Sequence, residues 1–297
     1  MFQPWSSKWL VSILICTYNA SQTIAQTLRS CLWQTYWNIE ILIHDDQSKD
    51  NTLYIVNSLQ DQRIHVIKSG QKLWPYGWLN FLLKRAQGEY IAIQDHDDLR
   101  HPSKIKKQIT FLESHPEYRW CGTKTLMRYE SDQKGFLYYL WEKNYYTIHP
   151  SLIFRTWEER YPINTNYMTD AYFQKMELCK RWKKLIYNID ETLTFHLIRS
   201  GATNLSYKRF TYSRATFCVI FQLHPVWYGI CIIGWESLRK ILYPLFHLIG
   251  KGKWIDVMER KPFELLGNKI SDYPLEKIEI IQEIKNVILS WDRIENT

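Results

Sequence analysis

The sequence predicts an α/β fold built on a mostly parallel sheet flanked by helices. Three observations carry that expectation. Short apolar runs of strand length recur at Leu10 to Cys16, Ile39 to Ile43, Ile64 to Ile67 and Tyr90 to Gln94. Between them lie segments with apolar residues at helical spacing, so the chain reads as successive βαβ units. Three of the runs end in polar or acidic clusters: Thr17-Tyr18-Asn19, Asp45-Asp46 and Asp95-His96-Asp97-Asp98.

The elements follow in order. Leu10 to Cys16 is an apolar run broken only by Ser12, as expected of a strand covered on both faces. Asn19 and Ser21 offer caps for a helix whose Ile24, Leu28, Cys31 and Leu32 share one face. Ile39 to Ile43 is the second strand, and Ser48 or Asp50 can cap a helix carrying Leu53, Val56 and Leu59. Ile64 to Ile67 is the third strand, Gly77 to Ala86 a helix, and Tyr90 to Gln94 the fourth strand. Pro102 and Ser103 open a helix with Ile105, Ile109 and Leu112 on one face. After Trp120 the pattern turns to shorter β-like runs, Trp120 to Met127 and Ile148 to Phe154, with a helix near Thr169 to Cys179. These complete the same domain, taken as residues 1–205; residues 206–297 read as a helical C-terminal region.

That last region is the ambiguous part. Phe217 to Trp235 has no charged side chain, but Gln222, His224 and Pro225 interrupt it and Arg239 and Lys240 follow. A spanning helix needs roughly 20 apolar residues. Docking on a membrane surface, a span and a buried hairpin all fit, with the prolines favouring interfacial helices. Ile278, Ile281, Ile284 and Ile288 then suggest an amphipathic tail helix.

Composition narrows the partners. The chain has 297 residues, 45% hydrophobic, 15% aromatic and a formal net charge of +8, enough for a large core and too apolar for wholesale disorder. Lys180, Arg181, Lys183 and Lys184, then Lys208, Arg209 and Arg214, concentrate the positive charge. An anionic membrane surface, a polyanionic ligand or a solvated face each suits such clusters. Nucleic acid does not, since no recognition-helix, zinc-finger or RNA-binding signature accompanies them. The six cysteines form no CxxC pair, which speaks for scattered thiols rather than a zinc site or a disulfide framework. No long apolar stretch follows a basic start at the N-terminus, which points to a cytoplasmic location.

In open α/β sheets ligands sit beyond the carboxyl ends of the strands, where the three polar clusters fall. Neither a Walker loop nor GxGxxG is present, so a pyrophosphate would need another holder. A divalent cation, Mn2+ or Mg2+, bridging carboxylates and phosphate oxygens is one solution, with Asp95 to Asp98 supplying the carboxylates. A solvated loop, or acids placed at a helix N-terminus, is the plainer reading of the same residues.

The run Val11 to Asn19 resembles the opening strand of family 2 glycosyltransferases with the GT-A fold. The resemblance extends through Gln34-Thr35-Tyr36, Asn38-Ile39-Glu40, Asp45-Asp46-Gln47-Ser48, Asp50-Asn51-Thr52, Gly88-Glu89-Tyr90-Ile91 and Asp95-His96-Asp97-Asp98. It is close over roughly the first 125 residues, looser through His149-Pro150-Ser151-Leu152 and Thr169-Asp170, and absent beyond about Asn204. It implies a Rossmann-like sheet and transfer of a sugar from a nucleotide-sugar donor to a glycan or lipid-linked acceptor. By the same resemblance Thr17, Tyr18, Asn19 and Asp46 contact the donor's nucleoside. Asp97 and Asp98 stand as the paired acids at the ribose and the metal-bridged pyrophosphate, with Asp95 in support. Asp170 stands as the general base and His149 in the acceptor pocket. Thr169-Asp170 also suits a helix N-terminus, and His149 a structural histidine.

There are departures from the family pattern. Gln47 stands where Gly is frequent, Leu79 where an Arg precedes Asn80, and Thr169 where Glu is frequent. Arg181-Trp182 lacks the Gln of the processive Gln-x-x-Arg-Trp element, so non-processive transfer is implied. His196 and Arg199 lie near a late Arg-and-His element in a shifted register, which by the resemblance leaves them as candidates for phosphate contact. The expected chemistry is metal-assisted, inverting transfer at the inner face of a membrane. The competing readings are a nucleotidyltransferase and a non-catalytic nucleotide-sugar-binding protein.

Overall fold

The computed structural model describes residues 9–68, 75–129, 134–138, 147–156, 170, 173–174, 187–198, 217, 220–221, 226–248 and 272–274. Nine of its strands and four of its helices fall before residue 199. They are β1 (Val11–Thr17), α1 (Ile24–Leu32), β2 (Ile39–Asp45), α2 (Thr52–Ser58), β3 (Ile64–Val66), α3 (Pro75–Leu83) and β4 (Tyr90–Asp95). There follow β5 (Leu99–Arg100), α4 (Lys104–Ser114), β6 (Trp120–Tyr129), β7 (Lys134–Tyr138), a 3₁₀ turn (His149–Ser151), β8 (Ile153–Arg155) and β9 (Tyr187–Ile198). Further on come α5 (Val226–Leu248) and β10 (Asp272–Pro274).

The described strands form one sheet, with β10-β7-β6-β8-β4-β1-β2-β3 in order and β9 paired to β5 and β6. β3, β2, β1 and β4 run parallel, as the βαβ pattern predicts. From β4 onward the ladder through β8, β6, β7 and β10 is antiparallel, so the sheet is mixed. The chain leaves β1 for β2 on one side and returns to β4 on the other. This reversal opens a crevice at the carboxyl ends of β1 and β4.

Both faces of the parallel half are covered, which is why its strands are mostly apolar. Val11, Ile13 and Ile15 pack with Ile24, Leu28, Val56, Ile105, Ile109 and Leu112 beneath α1, α2 and α4. Leu14, Leu42, Ile91 and Ile93 face Tyr76, Leu79 and Leu82 of α3. Each fully buried aliphatic side chain contributes roughly 1.5–3 kcal/mol. One buried polar node crosses the sheet: Ser12 donates to Glu40, and the Gly88 and Gln87 amides donate to Ser12 Oγ and Glu40 Oε1 at 2.8 Å each. Glycine is required at 88, because a Cβ there would lie 2.6 Å from the Ser12 nitrogen and 2.7 Å from the Leu10 oxygen.

Several expectations are corrected locally. Thr23, not Asn19 or Ser21, precedes α1, and no side chain caps it. Asn19 instead turns through a positive φ of 49° and exchanges bonds with Ser48 and Lys49, while the Ser21 amide donates to Asp50 at 3.0 Å. Asp50 does receive the Thr52 amide at the start of α2, at 3.0 Å. The run Ile148 to Phe154 is a 3₁₀ turn followed by β8, since Pro150 interrupts any ladder. Of the helix expected near Thr169 to Cys179, only Asp170, Phe173 and Gln174 are described; the amphipathic tail beyond Pro274 and the clusters at Lys180 and Lys208 lie outside the described residues. Cys16, Cys31 and Cys121 are buried free thiols, whereas Cys231 is exposed on α5. Among the described residues no helix is long and apolar enough to cross a membrane, and α5 leaves Trp227, Ile230, Leu238, Ile241 and Leu245 exposed.

Candidate functional site

One wall of the crevice is built by β1 and β2. Their register sets Thr17 beside Asp45 and continues to Asp46, whose amide donates to the Thr17 carbonyl at 2.9 Å. Thr17 is buried and gives its hydroxyl to Asp45 at 3.3 Å; Asp46 is buried beside it. Tyr18 and Asn19 are exposed at the lip. Gln47 takes a φ of 66°, the left-handed conformation in which glycine is unstrained. The departure from the family pattern at this position therefore keeps the backbone and changes only the residue that bears it.

The opposite wall is the turn after β4, whose register places Asp95 beside Cys16. Thr23, just before α1, and Thr27 within it both donate to the His96 carbonyl at 3.0 Å, and the His96 ring meets the Cys16 carbonyl at 3.1 Å. His96 is thereby a fastener of the turn. β5 then pairs with β9, Leu99 opposite Phe195, which brings Asp98 to His196. Asp98 is fully buried and accepts from His196 Nδ1 and from the Leu197 amide, both at 2.8 Å.

Asp95, Asp98 and His196 bring one ligand atom each to within 4.8 Å of one another. Asp97 is outside this trio, though its charge reaches both Asp95 and His196. The electrostatics follow from the crowding. Loss of solvation, then the charges of Asp98 and Asp97, push the Asp95 carboxyl up to about 8. Burial works against a charge on His196, but the Asp98 carboxylate outweighs it and raises the imidazole to about 9.

His149 and Asp170 complete the rim. His149 Nδ1 lies 3.9 Å from Asp95 Oδ1, and its ring sits edge-on to Tyr76. Burial lowers its pKa, partly offset by Asp170 and Asp98. Asp170 is within electrostatic reach of both Asp95 and His149. The segment that carries it is pinned nearby: Gln174 exchanges two hydrogen bonds with the Thr147 backbone, at 2.7 and 3.0 Å, and Phe173 packs on Phe154. Thr147 in turn bonds Ser151 of the turn that bears His149, at 2.6 Å.

The family model for glycosyl transferase family 2 matches residues 12–174, more than half of the chain. The chain belongs to glycosyl transferase family 2. An Escherichia coli UDP-Glc:alpha-D-GlcNAc-diphosphoundecaprenol beta-1,3-glucosyltransferase, WfaP, is 48% identical over 105 residues, 35% of this chain and 42% of that protein. The putative glycosyltransferase EpsE of Bacillus subtilis is 29% identical over 228 residues, 71% of this chain and 81% of its own. Among solved structures, Staphylococcus aureus TarS 1–349 in complex with UDP-GlcNAc superposes with a TM-score of 0.57 at 19% identity, covering 72% of this chain and 65% of that one. Mannosyltransferase PcManGT from Pyrobaculum calidifontis, in complex with GDP-Man and Mn2+, gives 0.50 at 12% identity over 87% and 90% of the two chains. These likenesses show the GT-A fold.

Within this family 2 chain the trio's donor set fits a divalent cation. Two carboxylates and an imidazole suit Mn2+ and also accept Mg2+; a cation would displace the proton that His196 otherwise carries and would relieve the repulsion that raises Asp95. The acid run is legible in the sequence. His196 as the third corner is not, because it arrives from a strand 98 residues further on.

Proposed function

We propose that the chain transfers a sugar from a nucleotide-sugar donor to a glycan or lipid-linked acceptor, with inversion and one sugar per encounter. The observation that carries the reading is the convergence of Asp95, Asp98 and His196 across the crevice from Thr17 and Asp46. In this reading Asp46 and Thr17 hold the nucleoside, with Tyr18 and Asn19 at the lip and Asp97 at the ribose. Asp95, Asp98 and His196 would hold Mn2+ or Mg2+, which would supply positive charge for a departing diphosphate. Asp170 takes the proton from the acceptor hydroxyl, whose oxygen bonds to the anomeric carbon as the bond to the diphosphate oxygen breaks. The electron pair of that bond leaves on the diphosphate. His149, whose pKa burial lowers, lines the acceptor pocket beside Asp95.

The name of WfaP supports a UDP-sugar as donor and a diphosphoundecaprenol-linked sugar as acceptor class, over the third of the chain that it matches. An acceptor of that kind resides in a membrane, and the exposed apolar side chains of α5 suit docking at its inner face. Residues 1–205 form the transferase unit in this reading, and 206–297 contribute α5 and the short strand β10. The deciding experiment pairs donor turnover with donor binding. Asp170→Asn is expected to lose roughly 10²–10⁴-fold in turnover, the range for a general base, while its affinity for the nucleotide sugar is retained. Full turnover in that variant, or none in wild type with Mn2+ across UDP- and GDP-sugars, refutes the reading.

A further inference from the structure

Behind the acid turn lies a pair of buried polar side chains, Gln94 and Arg100, to which none of the roles above is given. Gln94, only 2% exposed, donates its amide nitrogen to two carbonyls at once, Asp95 at 3.0 Å and Asp98 at 2.8 Å. These are the carbonyls of the two acids that converge in the crevice. The single backbone bond across the turn, from the Asp98 amide to the Asp95 carbonyl, is long at 3.4 Å. Gln94 is therefore the principal brace between them.

The brace works only if the amide faces one way. Arg100 fixes that orientation: its Nε donates to Gln94 Oε1 at 2.7 Å, so the NH₂ end must point at the turn. Arg100 is itself fixed. It is 1% exposed, its Nη2 reaches the Ile93 carbonyl at 3.2 Å, and its backbone lies in β5 opposite Thr194 of β9. The same strand thus brings His196 to Asp98 on one side of the turn and anchors the clasp on the other. A guanidinium suits this, since two nitrogens of one rigid plane serve Gln94 and the Ile93 carbonyl together, a geometry that the single nitrogen of a lysine does not reproduce. Charge alone does not explain the arrangement. A second buried basic side chain, Lys104, lies close by, yet it hydrogen-bonds the Pro150 carbonyl at 2.6 Å and makes no hydrogen bond to Gln94 or the acid turn, reaching Asp98 only electrostatically.

We infer that Gln94 and Arg100 are positioning residues that set the separation of Asp95 and Asp98, and thereby the cation affinity of the crevice. The inference rests on the reading of those acids as ligands. Its test uses the full-length chain without donor, with Mn2+ uptake followed by electron paramagnetic resonance. Gln94→Glu keeps the Arg100 partner and removes both NH₂ bonds; Arg100→Lys keeps the charge and removes the Nε bond. Both are expected to weaken Mn2+ binding by about 10–100-fold, as loss of outer-shell support does. Lys104→Met, which deletes the neighbouring buried amine but not the clasp, is expected to stay near wild type. Equal loss in Lys104→Met, or wild-type affinity in Arg100→Lys, overturns the inference. Hydrogen exchange in peptides spanning Asp95–Asp98 gives an independent readout and is expected to quicken in Gln94→Glu. If wild type takes up no Mn2+, the metal reading falls, and unchanged exchange in Gln94→Glu would then overturn the clasp on its own.

Discussion

Asp98→Asn and Asp95→Asn should separate what holds the fold from what serves the chemistry. Asp98 is fully buried and its two oxygens accept from His196 and the Leu197 amide, at 2.8 Å each. An asparagine keeps one acceptor and turns an NH₂ toward the other donor, so one charge-assisted bond is lost and one donor is opposed. Hydrogen bonds to charged groups are worth about 1.5–3 kcal/mol, which puts the loss for Asp98→Asn at about 2–4 kcal/mol. In a domain of this size each kcal/mol moves the melting temperature by roughly 2–4 °C, so a fall of about 5–15 °C is expected. Asp95 is different. Its side chain is 34% exposed, its partner His149 is 3.9 Å away, and its neighbours repel its charge. Asp95→Asn removes that repulsion and should melt at the wild-type temperature or above, while losing Mn2+ uptake as fully as Asp98→Asn does. Differential scanning calorimetry at pH 7.5 without metal makes the comparison. Equal melting temperatures for the two variants would refute the assignment of Asp98 as the structural tie to β9.

Two further outcomes follow from the strand ends. Burial lowers the pKa of His44, so the unfolded chain binds a proton there more readily than the native one. The stability it permits is intact above the unfolded value of about 6.5 and is lost as pH falls below it; urea melts at pH 7.5 and 5.5 should show a smaller drop for His44→Gln than for wild type. Gln47 holds a left-handed φ that costs an ordinary residue about 1–2 kcal/mol. Gln47→Gly should therefore equal or exceed wild type in denaturant stability, whereas Gln47→Val should fall below it.

What was legible in the sequence divides along the sheet. The parallel half has strands buried on both faces, so Leu14, Ile41 and Ile93 announce themselves as apolar runs, and Thr17, Asp46 and Asp95 mark where the runs stop. Local pattern sufficed there because each unit is a strand and its own helix. β9 gives no such signal. Asn188, Asp190, Glu191 and Thr192 precede the inward Leu193 and Phe195, so half the strand reads as a polar loop. Its place is fixed by pairing with β5 and β6, far away in sequence, and His196 comes with it. Asn19 misled in the other direction: its side chain suits a cap, but the turn it makes toward Ser48 and Lys49 satisfies it first.

The dependence of the trio on β9 also orders events during synthesis. As the chain emerges, β1 to β4 can close on their helices with Thr17 and Asp46 already side by side. Until Tyr187–Ile198 has left the ribosome and zipped against β5, the Asp98 carboxylate lacks both of the donors it has in the finished protein. A buried anion without partners resists burial, so the turn stays open to water until its last strand arrives. The crevice is thus completed from one end, and a chain stalled before Tyr187 would carry the β1–β2 wall without the corner that faces it.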